Sequence, residues 1–261
     1  MYMRVRKSTL NNSCFFIVIL LIFLICYYSI KPSSKKENYT DDKEQIYKDE
    51  QLENWYKSMF GILPEGEINT CLEYLKDRKD IVLFDIGYNV GAFSDKLLQL
   101  RNDITIYGFE PIKPLIEWSE KNHKDDRKKL FGFGLGDKKT TEKLFIDNTS
   151  NLGWNTLIEK QSHSSQISKE IQLLKMDDLD LPKPDFIKID VEGAEWMVLN
   201  GMRESIRKWN PKPIMIIEIG WGTNHPDREK EMVEFNYLFD NGYKKIILDE
   251  KGTADKLFIP I

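Results

Sequence analysis

The chain has 261 residues but only three cysteines and three histidines. Cys14 and Cys26 lie inside one apolar run, which leaves Cys71 alone in the remainder. That excludes a disulfide within the main domain and a zinc site of paired cysteines. No G-x-G-x-x-G occurs after a strand-like segment, which argues against a pyrophosphate cofactor such as NAD. Internal repeats and low-complexity tracts are also missing, so solenoid and compositionally disordered classes drop out. Acids are absent from residues 1–36, which carry six Lys or Arg; the rest holds 32 basic and 42 acidic residues, a formal −10. An acidic domain of this kind is a poor nucleic-acid partner.

What is present begins with "CFFIVILLIFLICYYSI", Cys14–Ile30, an uncharged run of 17 residues. At ~1.5 Å per residue it reaches about 25 Å, enough for a thin bilayer. No small-residue cleavage site follows, which favours an uncleaved anchor over a removed signal peptide. Basic residues flank both ends, and the large domain follows. The expectation is a type II signal-anchor with the domain lumenal or extracytoplasmic. The predicted organisation is a basic tail over 1–13, a transmembrane helix over 14–30, a stem with an amphipathic helix over 31–62, and the main domain over 63–261. Leu52, Trp55, Tyr56, Met59 and Phe60 mark one face of that amphipathic helix.

From residue 63 strand and helix patterns alternate. "IVLFDI", "ITIYGFE", "KKLFGFGLG", "DFIKIDV" and "PIMIIEI" read as strands, with "EKLFID" as an added one. Helical patterns follow the first, second, fourth and fifth. "KKIILD" and "KLFIPI" close the chain as a hairpin around Gly252. This predicts an α/β fold: a mostly parallel seven-stranded sheet, helices on both faces and a C-terminal antiparallel hairpin.

Ligands of such sheets bind beyond the carboxyl ends of strands, where Asp85 and Glu110 each close one. Gly87 and Gly91 frame the turn after Asp85, and their missing Cβ atoms would let backbone approach a ligand. Glu110 stands where an acid takes ribose hydroxyls. An acid in the turn repels diphosphate, whereas S-adenosylmethionine offers a ribose, no phosphate and a cationic sulfonium. A plain strand–helix turn would carry the same glycines.

"FDIGYNVGAFS", "GFEPIKP" and above all "DFIKIDVEGAEWMVLNGM" resemble the FkbM family of S-adenosylmethionine-dependent methyltransferases, over roughly residues 80–250. The resemblance implies a Rossmann-like class I methyltransferase fold and S-adenosylmethionine as cofactor. It implies that Asp85, Gly87, Asn89 and Gly91 contact the methionine part, Glu110 the ribose and Asp137 the adenine amino group. Tyr88 stands where the family more often has a small residue, and is expected beside the cofactor.

Asp190 should face the transferring methyl, with Lys188 on the same strand face by period two and needing a partner if buried. Candidate bases for a hydroxyl acceptor are Asp190, Glu218 and His225, the last in a loop after a strand. Trp154, Asn155, Glu192 and Trp221 are candidate acceptor contacts. Oxygens of Asp190, Glu192 and Glu218 suit a divalent metal, which nothing in the spacing requires. The family acts largely on hydroxyls, often of sugars. With the expected anchor, this gives a membrane-bound O-methyltransferase of a glycan or glycolipid. The rival reading is a tethered binding module that has lost activity.

Overall fold

The computed structural model describes residues 46–62, 65–147, 151–159, 166–219, 224–247 and 255–261. Two helices precede the first strand: α1 (Asp49–Ile62) and α2 (Glu65–Leu75). The alternating part runs β1 (Ile81–Ile86), α3 (Ala92–Leu100), β2 (Ile104–Phe109), α4 (Lys113–Asn122) and β3 (Lys128–Phe131). Three further strands follow: β4 (Gly134–Leu135), β5 (Thr140–Asp147) and β6 (Gln166–Leu174). Alternation resumes with β7 (Phe186–Ile189), α5 (Glu195–Gly201), α6 (Arg203–Lys208), β8 (Ile214–Glu218) and α7 (Arg228–Asp240). It ends with β9 (Tyr243–Ile247) and β10 (Asp255–Pro260).

Seven strands form one sheet in the order β3-β2-β1-β7-β8-β10-β9. All neighbours pair parallel except β10, which lies antiparallel between β8 and β9. The Rossmann-like, mostly parallel architecture therefore holds. Side chains alternate along each strand, so the sheet feeds two cores. Phe84, Ile86, Ile187 and Ile189 pack with Val198, Leu199, Phe235 and Leu238 of α5 and α7. Ile81, Leu83 and Phe186 pack on the other face with Cys71 and Leu75 of α2 and Leu97 of α3. A third cluster joins Leu52 and Tyr56 of α1 to Leu115 and Trp118 of α4 and to Leu144, Ile171 and Leu173 of β5 and β6.

The fold class is corrected in one respect. No helix among the described residues is long and apolar enough to cross a membrane, and the transmembrane helix expected over 14–30 lies outside the described residues. The long third strand also divides: β3 stays in the main sheet, whereas β4 joins a separate sheet ordered β4-β6-β5. The added strand "EKLFID" belongs to that second sheet, paired antiparallel with β6. The expected single helix after β7 breaks at Met202, which caps α5 and opens α6 with φ −117° and ψ 14°. The hairpin partners β9 and β10 do pair antiparallel; Gly252 lies outside the described residues.

Candidate active site

The chain leaves β1 toward β2 on one side, while β7 pairs on the other. That reversal opens a crevice at the carboxyl ends of β1 and β7. A cavity of about 420 Å³ occupies it. Asp85, Gly87, Asn89 and Glu110 line one part, and Lys188, Asp190, Glu192 and Glu218 another; Trp154 and Asn155 stand at its side. The sheet thus brings together ten residues expected there.

Three left-handed positions build the turn after β1: Asn89 at φ 53° and the two glycines, Gly87 at φ 88° and Gly91 at φ 84°. Their missing side chains serve the protein, however. A Cβ on Gly87 would lie 1.7 Å from the Asp190 carbonyl oxygen, and one on Gly91 would lie 2.1 Å from the Tyr88 hydroxyl. Tyr88 is buried in the space that Gly91 and Gly108 leave open, and its hydroxyl lies 2.8 Å from that of Ser119. Its hydroxyl end is therefore held inside the protein, while Tyr88 still lines the cavity where it is expected. Asn89 is equally engaged. Its Oδ1 accepts from the Trp55 indole (3.0 Å) and its Nδ2 donates to the Leu152 carbonyl (2.9 Å), pinning α1 and the loop after β5 to the turn.

Asp85 is buried and accepts the Ser94 hydroxyl at 2.6 Å. Burial raises its pKa to about 6, against the pull of Lys188 and Ser94. Glu110 is buried too. Its Oε1 accepts the Ile112 amide and its Oε2 the Asn89 amide, both at 2.9 Å. Burial lifts it to about 7 despite those two bonds. A carboxylate offers about four acceptor positions, so roughly two stay open toward the cavity.

Lys188 lies opposite Asp85 in the β1–β7 register, and its Nζ donates to Asp190 Oδ2 at 2.6 Å. Burial disfavours its charge, but Asp190, Glu67 and Asp85 outweigh burial and hold its pKa well above the usual lysine range. Burial likewise opposes ionisation of Asp190, yet Lys188 and a hydrogen bond from Glu218 win and lower it. The cost falls on Glu218, whose pKa is driven far up by the Asp190 charge, their shared hydrogen bond and burial. Two carboxyls this close hold one proton between them. Glu192, left-handed at φ 52°, is raised to about 8 by burial and by Asp190.

Three expected residues stand elsewhere. His225 is buried outside the cavity lining. Its Nδ1 accepts the Asp227 amide at 2.9 Å, which leaves the proton on Nε2 to donate to the Gly193 carbonyl at 2.8 Å. Both nitrogens are spent on loop geometry, which corrects its expected role as base. Gly91 sits behind Tyr88. Asp137 follows β4 with a buried Oδ1 that has no hydrogen-bond partner, outside the lining of the cavity. Trp221 lies outside the described residues. Asn155 reaches the cavity, but its amide is used: Nδ2 donates to Leu152 O and Oδ1 accepts the Asp147 amide.

Sequence reasoning missed Trp55 and Met59 of α1, Glu67 of α2 and Asp255 of β10, all on the cavity wall. The antiparallel register sets Asp255 opposite Glu218, a pairing that only the sheet order reveals. Glu67 hydrogen-bonds Asp255, and burial raises it to about 8. Oxygens of Asp190, Glu192 and Glu218 approach within 4.8 Å of one another, a spacing that a cation would fit. Glu195, His225 and Glu231 form a second such group, but His225 has no free nitrogen and Glu231 pairs with Arg228.

Among known proteins, the chain is 25% identical over 161 residues to the hexuronic acid methyltransferase AglP of Haloferax volcanii, covering 60% of this chain and 63% of that protein. The crystal structure of the FkbM methyltransferase of Methylobacillus flagellatus superposes with a TM-score of 0.46 at 17% identity, over 69% of this chain and 44% of that one. A SAM-dependent methyltransferase of Aquifex aeolicus gives 0.44 at 11% identity, over 81% and 97%. The match thus spans less than two thirds of AglP and of the Methylobacillus protein. The model of the methyltransferase FkbM domain matches residues 85–244, from the acid of the β1 turn to the start of β9. The chain belongs to the FkbM methyltransferase family.

Proposed function

We propose that the protein is an S-adenosylmethionine-dependent O-methyltransferase acting on a sugar hydroxyl. The observation that carries this reading is the pair of buried acids at adjacent strand ends, Asp85 and Glu110, beside the Lys188–Asp190–Glu218 chain. Glu110 keeps open acceptor positions for the two hydroxyls of a ribose. Carboxyls crowded enough to be pushed up in pKa suit a ligand with a sulfonium and an ammonium, because a cation relieves their repulsion. The residues present therefore fit the cofactor. When bound, it supplies an electrophilic methyl group on a sulfonium.

The chain's own task is alignment and proton removal. Lys188 and Glu218 hydrogen-bond Asp190 and fix it at the cavity wall, and the Lys188 charge favours its ionised form. Asp190 then takes the proton that the acceptor hydroxyl loses as its oxygen gains the methyl group. The sugar acceptor is suggested by the likeness to AglP and by the half-exposed ring of Trp154 at the cavity.

The test is transfer of labelled methyl from S-adenosylmethionine to a panel of glycosides. Asp190→Asn should lower turnover at least ~100-fold while cofactor affinity stays within a few-fold. Unchanged turnover would refute the role of Asp190. Glu110→Ala should weaken cofactor binding by at least about tenfold, since it removes the ribose acceptor.

A further inference from the structure

Helix α1 precedes the residues that the family model matches, 85–244, yet its Trp55 and Met59 form part of the cavity wall. Its link to the turn after β1 runs through Asn89. That residue is left-handed at φ 53°, a conformation that a residue other than glycine keeps where its surroundings hold it. Three hydrogen bonds of its side-chain amide do so. Oδ1 accepts the Trp55 indole N–H at 3.0 Å and the Val90 amide at 2.8 Å, and Nδ2 donates to the Leu152 carbonyl at 2.9 Å. In this conformation the Asn89 backbone N–H donates to Glu110 Oε2 at 2.9 Å. The indole is itself firmly seated. A Cβ on Gly153 would lie 3.4 Å from it, and the next residue, Tyr56, is buried and donates to Asp95.

We propose that Trp55 is a positioning residue for the methyl donor: through Asn89 it fixes the Glu110 carboxyl against the donor's ribose. The inference rests on the methyltransferase reading above. Two backbone amides hold Glu110, that of Ile112 on Oε1 and that of Asn89 on Oε2. Where these donors stand decides which acceptor positions are left for the ribose hydroxyls. Ile112 lies two residues beyond Glu110 and is carried along with it. Asn89 comes from the neighbouring strand end and has to be placed separately. Its φ aims the N–H, and the Trp55 bond to Oδ1 helps to hold that φ. Without the indole donor, Oδ1 keeps the Val90 amide alone and the turn can relax away from Glu110. Preorganisation of this kind raises affinity without a direct contact, because less ordering remains to be done on binding.

The experiment is calorimetric titration of S-adenosylhomocysteine into the full chain, Trp55→Phe, Glu110→Ala and the double variant. Trp55→Phe alone should weaken binding about three- to tenfold. In the Glu110→Ala background the same change should cost less than about twofold, since the group it positions is gone. Asn89→Gly allows the left-handed backbone without the side chain and interrupts the same relay at its middle. Trp55→Phe should be nearly silent in that background too, which keeps the test open if Glu110→Ala binds too weakly to titrate. Thermal melting reports that each variant is folded at the titration temperature. Full affinity in Trp55→Phe overturns the proposal. So does an equal loss in every background, which would mean that the indole meets the ligand directly. If the unaltered protein does not bind S-adenosylhomocysteine, the methyltransferase reading fails first, which separates the two outcomes.

Discussion

At Gly87 two constraints meet: a left-handed φ and a carbonyl where a side chain would stand. Gly87→Ala must move backbone against backbone, since the clash is with Asp190 O. The expected loss is roughly 2–3 kcal/mol, read from the denaturant midpoint. Tyr88 makes the opposite prediction. Its hydroxyl is buried against Ser119, so Tyr88→Phe should cost about 1 kcal/mol of stability and leave cofactor affinity unchanged. A tenfold loss of affinity in that variant would mean that its hydroxyl serves the ligand and not only Ser119. The sequence made Asp85 and Glu110 legible because acids ending apolar runs mark strand ends. It could not tell that Gly91 exists for Tyr88, because that fit depends on Gly108 of the neighbouring strand. His225 looked like a base because a loop histidine after a strand often is one. Its two backbone partners appear only once the loop is folded against Gly193.

At the scale of elements, helix α1 matters most beyond the family region. It buries Leu52 and Tyr56, donates from Trp55 to Asn89, and bonds Tyr56 to Asp95 at 3.0 Å. Trp55→Phe keeps the packing and removes one hydrogen bond to the turn after β1. It should cost about 1 kcal/mol of stability in a thermal scan. The amphipathic face of α1 was readable from its spacing, as was the alternation of strands and helices around the main sheet. The second sheet was less so. In β6 the inward positions are Ile167, Lys169, Ile171 and Leu173, and the lysine among them breaks the apolar period that marks a strand. β4 is two residues long and takes its place from pairing with β6, a long-range contact. Glu67 and Asp255 were hidden for the same reason: each belongs to an element whose neighbour is set by sheet order.

For the whole molecule the account implies an unusual pH dependence. Asp85, Glu110, Glu195, Glu192 and Glu67 have pKa values raised to about 6, 7, 7, 8 and 8, each mainly by burial. The native state therefore binds more protons than the unfolded chain between about pH 4 and pH 8, and the slope of unfolding free energy with pH is negative there. This stabilisation is present in full below the unfolded carboxyl pKa and is lost as pH rises through the folded values. The ligand-free protein should melt higher at pH 6 than at pH 8.5, by on the order of a few degrees. A cationic ligand should flatten that difference by stabilising the ionised carboxyls.

The most direct test of the central claim is calorimetric titration of S-adenosylmethionine into the purified protein, with NAD as the control. The account predicts saturable binding of S-adenosylmethionine and none of NAD, with Glu110→Ala weakening the former. A folded protein that fails to bind S-adenosylmethionine, or binds NAD in its place, would contradict it.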